Sequence, residues 1–353
     1  MGLLRPTPLL RFYKSGKTNR MSNPMRRWVY HYIFFGVLGG FGGYQGFRYA
    51  RAGWEAATHP EDGNCLCSSE MVDALFFLPF NTLSNSVGRL AENLYLPTWM
   101  HHAAADALIR WCKVDMSESV QQVRDVETFQ QFYTRDWTPE ARSVSAGAAV
   151  VAPCDGVLLS VHSNVRDMTL VQVKGLSYGI RVLLQETPPP LDAERYRRVA
   201  AVIHMRNKDF HHVVAPLSFR CEKSVYVPGA LFPVTAAGFH WIPSVLTINE
   251  RLVLCGTSAD RNKLPVYMAL VGSTLTGRIK FYLDQRVRTN YLEPPEYALH
   301  NTYASKPLLA KGERVATFNW GSSVVLLVDV PKDCAVLKRA GEEVKAGEAL
   351  IQC

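Results

Sequence analysis

Apolar and polar positions follow two rhythms along this chain, and the change between them divides it. From residue 71 to about 116 the apolar positions recur at helical spacing. Leu83, Val87, Leu90 and Leu94 step along one face, and Ala103, Leu108, Ile109 and Trp111 follow a break at Pro97. That spacing predicts amphipathic helices that either dock on a bilayer surface or cap a core. Past Phe132 the pattern turns to short apolar runs cut by turn residues. It predicts strands at 148–151, 157–161, 199–204, 213–214, 225–227, 252–254, 266–271, 278–283 and 324–330. Pro188-Pro189-Pro190 and Pro294-Pro295 mark exposed loops. Upstream of both, residues 28–47 carry no formal charge and have aromatic residues at each end. A bilayer span needs about 20 such residues, and aromatic ends suit its interfaces. The expected class is α+β: an N-terminal membrane anchor and amphipathic helices, then a β-rich, mostly antiparallel core.

Composition permits a sizeable core, with 48% hydrophobic and 20% charged residues in 353. The net charge of +8 is unevenly placed. No Asp or Glu precedes Glu55, whereas Arg5, Arg11, Lys14, Lys17, Arg20, Arg26 and Arg27 lie ahead of the apolar span. An acid-free, Arg-bearing leader is similar to a mitochondrial targeting segment, a disordered basic tail being the alternative. The positive excess before the span places the bulk of the chain across the membrane from its N-terminus. Because the core has no stripe of interleaved basic and aromatic residues, a nucleic-acid partner is excluded. Cysteine spacing shows no metal ribbon: Cys65 and Cys67 form C-x-C, and Cys112, Cys154, Cys221, Cys255, Cys334 and Cys353 stand singly. They read as small core residues or idle thiols, with a disulfide at Cys65 or Cys67 if that segment faces an oxidising space.

The motif with most chemical content is Gly321-Ser322-Ser323, just ahead of the last long apolar run. A small residue leaves a carbonyl open, and the next residue's hydroxyl can attack it once a base takes the proton. The same residues also describe a turn entering a strand. Two further segments hold groups able to assist. Asp155-Gly156 places a carboxylate in a turn, where it either orients an imidazole or serves only as turn chemistry. His211 and His212 stand at a strand start, and histidine is the side chain whose ordinary pKa suits a general base near neutral pH, structural histidines being the other reading.

Taken in order, several segments resemble the phosphatidylserine decarboxylase family. Cys112 to Met116 and Phe129 to Arg135 resemble the stretches ahead of its core, Pro153 to Gly156 its P-x-D-G turn, and Asp209-Phe210-His211 its D-Y-H motif. Tyr226 to Val234, Asn249-Glu250-Arg251, Val271 to Ile279, Lys311-Gly312 and Phe318 to Ser323 continue the series. The resemblance implies a self-processing proenzyme. An Asp155-oriented histidine activates Ser322, the Gly321-Ser322 bond is cut, and Ser322 becomes a pyruvoyl group, the covalent cofactor. That group forms a Schiff base with phosphatidylserine and releases CO2 and phosphatidylethanolamine without a metal. The implied organisation is a leader and transmembrane segment (1–54), a linker and helical, membrane-associating region (55–117), a β-chain catalytic core (118–321) and an α chain (322–353). A heterodimer of β and α chains follows. The implied place is the mitochondrial inner membrane, with the N-terminus in the matrix and the core facing the intermembrane space.

The chain departs from the family pattern at Val214, where a second histidine is usual; His211 is then expected to do the proton work, with His212 as a partial substitute. Gly272-Ser273 is a rival Gly-Ser pair and reads as a tight turn between core strands. Residues 336–351 have the V-x-x-G-x-x-L rhythm of biotinyl- or lipoyl-type hairpins. The alternative is therefore a processing-dead relative, or a membrane-anchored non-catalytic adaptor.

Overall fold

A computed structural model describes residues 80–353 apart from 166–167, 174–175, 235–237, 240–241, 275–277, 292 and 320–321. The leader, the expected span at 28–47, Cys65, Cys67 and Gly321 lie outside the described residues. Among the described residues, no helix is long and apolar enough to cross a membrane.

The N-terminal layer holds α1 (Phe80–Ala91), α2 (Thr98–Cys112) and α3 (Phe129–Tyr133). Pro97 sits at the N-cap of α2, where its fixed φ and missing N–H cost nothing. The chain then runs through β1 (Val150–Val151), β2 (Gly156–His162), β3 (Thr169–Val173), β4 (Leu176–Gly179), α4 (Ile180–Leu184) and β5 (Tyr196–His204). Next come β6 (His212–Val214), β7 (Phe219–Val227), α5 (Val245–Ile248), β8 (Arg251–Ser258), β9 (Pro265–Val271) and β10 (Ile279–Phe281). The last part comprises β11 (Leu299–Thr302), β12 (Leu308–Leu309), β13 (Arg314–Phe318), β14 (Ser323–Pro331), β15 (Ala335–Val336), β16 (Glu343–Val344) and β17 (Ala349–Gln352).

A nine-stranded sheet in the order β11-β7-β8-β9-β14-β5-β2-β16, with β12 also on β7, forms the centre. Its strand pairs are antiparallel, as expected. β14 lies between β5 and β9 and is buried on both faces, which is why its sequence reads as a continuous apolar run. Side chains alternate across the sheet. Val324, Leu326 and Val328 pack with Val315, Phe318 and Ile351 from two small sheets, β10-β13-β6 and β1-β17-β15. Val325 and Leu327 pack on the other face with Leu170, Leu183, Phe232 and Leu246. Each such fully buried side chain contributes about 1.5–3 kcal/mol.

Arg251 ties the second face together. Its buried guanidinium donates to the Leu183 and Val182 carbonyls of α4 and to the Thr247 and Asn249 carbonyls, at 2.7 to 2.9 Å. These acceptors are helix-end carbonyls left without intrahelical partners.

Three expectations need correction. Cys334 and Cys353 are not single thiols but a disulfide across a separation of 19 residues; no local spacing signals it, because β15 and β17 bring the two together by pairing. The Asp155-Gly156 turn is no hairpin: β1 pairs with β17 and β2 with β5, so the turn carries the chain between sheets. The helical stripe is divided: Leu83, Leu90, Leu94 and Trp111 are exposed, with Ser84 and Ala91 facing inward in their place, whereas Leu108 and Ile109 pack against the buried Phe129, Phe132 and Tyr133.

Candidate active site

Ser322 stands immediately before β14, with 0% of its surface exposed. Its carbonyl accepts the Met205 N–H at 2.8 Å, fixing the backbone against the end of β5. Its hydroxyl has no hydrogen-bond partner. A buried hydroxyl left so costs about 1–3 kcal/mol, and in a native structure it asks for an explanation.

His211 is equally enclosed, at 0% exposure, and neither ring nitrogen makes a well-formed hydrogen bond. Its ring lies 4.2 Å from that of Tyr133 on α3. Its carbonyl accepts the Phe318 N–H at 2.9 Å, which stitches it to the strand leading into Ser322. Burial pushes its pKa well below the usual value, helped by the charges of Arg135, His212 and His204 and opposed only by a weak contact with the Tyr133 backbone. The ring is therefore neutral at physiological pH, the state a general base requires. Arg135 is itself buried, and its desolvation lowers its pKa to about 10.

His212, on the opposite side of the chain, is fully committed. Nδ1 meets Thr317 Oγ1 at 2.7 Å; Nε2 lies 3.1 Å from the Arg135 carbonyl and 3.3 Å from Asp136. Burial lowers its pKa while Asp136 opposes the fall. Val214 occupies β6 beside it and donates its N–H to Pro153 at 2.7 Å.

Asp155 is held by Arg142, which donates from Nε at 2.7 Å and also from Nη2, and by the Ala346 N–H at 2.8 Å. Both side chains are 4% exposed. The carboxylate thus engages an arginine rather than an imidazole. Its neighbour Gly156 has φ of 153°, and a Cβ there would stand 2.3 Å from the His204 carbonyl. A glycine lets β2 close onto β5 at this point.

The rival Ser273 is built into the scaffold: its hydroxyl accepts the Val234 N–H at 2.9 Å, and Asn249 donates to the Gly272 carbonyl at 2.8 Å. Gly272-Ser273 follows β9 of the central sheet, and the next strand, β10, belongs to a different sheet, so the pair does not close a turn between paired strands.

Sequence reasoning gave no role to several residues that shape this site. His204 ends β5 opposite Ser323, with Nδ1 3.3 Å from Ser323 Oγ. A polar residue closing the apolar run 199–203 was the available signal. Asn319 is held by Gln130 of α3, which donates to its carbonyl at 2.8 Å, and by Glu92 after α1 at 3.0 Å. The helical layer is thereby tied to the segment that precedes Ser322.

A model of the family described as phosphatidylserine decarboxylase matches residues 129–352. The mitochondrial phosphatidylserine decarboxylase proenzyme of Rattus norvegicus is 28% identical over 346 residues, covering 90% of this chain and 83% of its own. A phosphatidylserine decarboxylase proenzyme of Myxococcus xanthus is 33% identical over 255 residues, covering 71% of this chain and 86% of its own. Another, from Anaeromyxobacter, is 31% identical over 281 residues, covering 79% and 96%.

Proposed function

The chain belongs to the phosphatidylserine decarboxylase family, and we propose that it is a self-processing proenzyme that converts phosphatidylserine to phosphatidylethanolamine and CO2. The observation that carries the assignment of the site is the Ser322 hydroxyl, buried and without a hydrogen-bond partner at the head of a central strand. A group kept desolvated and unpaired is primed to react. His211, neutral and likewise unpaired, takes its proton. The Ser322 oxygen then attacks the Gly321 carbonyl, and processing ends in a β chain closing at Gly321 and an α chain opening with a pyruvoyl group.

The residues fit such a group. Conversion of Ser322 removes the orphaned hydroxyl, and the main-chain carbonyl that remains keeps its Met205 donor. A pyruvoyl group supplies a ketone that condenses with an amine and draws off the electrons of a leaving carboxylate. Asp155 acts as a positioning residue through Arg142, joining the 153–156 turn to Ala346 of the future α chain. His212 holds the β6–β13 junction.

The related rat proenzyme is mitochondrial. We place this chain at the inner membrane, anchored by residues 28–47, with its N-terminus in the matrix and its core in the intermembrane space. The basic leader supports that orientation, and a Cys334–Cys353 disulfide suits an oxidising compartment. Leu90, Leu94, Tyr95, Trp99 and Trp111 are exposed, with Tyr95 at 98% and Trp111 at 89%, and suit contact with lipid.

The test is the size and chemistry of the mature polypeptides. Purified active protein is expected to release a fragment from Ser322 to Cys353 with a blocked N-terminus that borohydride and an amine modify. Ser322→Ala abolishes the cut and Ser273→Ala does not. An active protein that remains one intact chain would sink the assignment.

A further inference from the structure

Self-cleavage at Ser322 requires two proton removals, and the second is the harder. The first frees the hydroxyl. As Oγ replaces the Ser322 nitrogen on the Gly321 carbonyl, His211 returns its proton to that nitrogen and, neutral again, is free to take the Ser322 Cα proton. The C–H electron pair becomes the Cα–Cβ double bond, the Cβ–Oγ bond breaks, Gly321 departs as a carboxylate, and water then displaces ammonia to leave the pyruvoyl ketone. A Cα–H beside an amide carbonyl is a weak acid, and the charge released from it builds on the carbonyl oxygen of Ser322. Whatever donates hydrogen bonds to that oxygen sets how fast this step runs.

We propose that His204 and the Met205 N–H form a donor pair on the Ser322 carbonyl, which drives this elimination and so decides whether the cut ends in a pyruvoyl group. The proposal rests on the reading of Ser322 as the processing site. The Met205 N–H is already in place, 2.8 Å from the oxygen. The His204 imidazole reaches the same junction: its Nδ1 lies 3.3 Å from Ser323 Oγ, on the residue after that carbonyl, a long contact that leaves the ring able to turn onto the carbonyl, and the Ser322 main chain is among the groups that favour its protonated form. His204 is fixed by strand pairing, opposite Ser323 on one side and Val157 on the other, and Met205 follows it directly. Burial lowers the His204 pKa to about 4, with Asp209 opposing and Arg206 assisting the fall. A neutral ring with one N–H is the form that donates without carrying a charge into the core.

An ester that does not eliminate has another fate. Water attacks the Gly321 carbonyl, Gly321 leaves as a carboxylate, and Ser322 keeps its hydroxyl and a free amine. The ratio of the two products reports how fast the ester eliminates relative to its hydrolysis, the step on which the donor pair acts. Loss of one such donor from a water-excluded site typically slows a step by about 10²-fold.

The experiment reads the first residue of the α chain by mass spectrometry and N-terminal sequencing. His204→Ala and His204→Phe remove the donor, the latter keeping a ring in the strand; His204→Gln retains an N–H. The expected result is a blocked α chain in the parent and in His204→Gln. In the Ala and Phe variants, chains opening with free Ser322 rise at least tenfold. A variant that stays intact but is split by hydroxylamine, which cleaves an accumulated ester, supports the proposal in the same way. An α chain as fully blocked in both donor-less variants as in the parent overturns it. So does an intact chain in both that hydroxylamine leaves whole, because His204 is then needed before the ester. A parent protein that yields no fragment refutes the underlying reading instead.

Discussion

Replacing Arg142 by Met tests whether Asp155 is held by an arginine. The pair is bidentate, both side chains are 4% exposed, and Arg142 reaches Glu118 at 2.8 Å as well. Removing the arginine leaves the Asp155 carboxylate buried with one remaining donor, the Ala346 N–H. Breaking a buried pair by deleting one partner costs about 3–5 kcal/mol, because the other charge stays desolvated. Asp155→Ala should cost less, about 1–3 kcal/mol, since Arg142 keeps Glu118 and its place over Phe210. The double variant Arg142→Met, Asp155→Leu buries no unpaired charge and should be more stable than Arg142→Met alone. Guanidinium unfolding in the Ser322→Ala background, where the chain stays whole, measures all three. An Arg142→Met variant within about 1 kcal/mol of its parent would refute the reasoning, as would a double variant weaker than the single. Parent-like stability, combined with lost processing when the same substitution is made with Ser322 in place, would mean that Asp155 serves a histidine directly.

Two further outcomes follow from other parts of the structure. Trp99→Ser and Trp111→Ser remove exposed rings from the helical layer; each ring buried in lipid is worth about 1.5–3 kcal/mol. Activity on vesicle-borne phosphatidylserine should fall by roughly tenfold or more for each, whereas a soluble short-chain substrate should be turned over normally; equal losses on both would exclude a lipid-contact role. Burial raises the Glu250 pKa to about 8, above its unfolded value. A carboxyl raised in the folded state gives stability that is complete below the unfolded pKa and lost as pH rises through the folded one. Stability should therefore decline between about pH 4.5 and 8, and Glu250→Gln should flatten that decline; an unchanged slope would show that Glu250 is ionised in the fold.

The strand rhythm was legible wherever burial is two-sided or strictly alternating. Residues 324–330 became β14 and 266–271 became β9 almost unchanged, because their neighbours demand apolar side chains at nearly every position, the buried Asp329 with its Arg198 partner excepted. β13 escaped notice, since Arg314 and Thr317 interrupt its apolar positions for partners 178 and 105 residues away, Asp136 and His212. The stripe Leu83, Leu90, Leu94 had the period of a core-facing helix, yet period alone does not tell core from bilayer. At the site, Ser322 and His211 were visible as chemistry. The Arg142 partner of Asp155 and the place of His204 were not, because Arg142 comes from the loop ahead of β1 and His204 is set beside Ser323 by the pairing of β5 with β14, 119 residues on.

The central place of β14 has a consequence for the life of the protein. Most cofactors can leave a damaged enzyme and be replaced. Here the strand adjoining Ser322 is hydrogen-bonded along its length to β5 and β9, with Arg198 and Asp329 paired across one edge at 2.7 Å. No short peptide supplied from outside can enter that slot without parting the sheet. A molecule whose reactive carbonyl has been spent in a side reaction is thus beyond repair, and lost activity returns only as new chains are made.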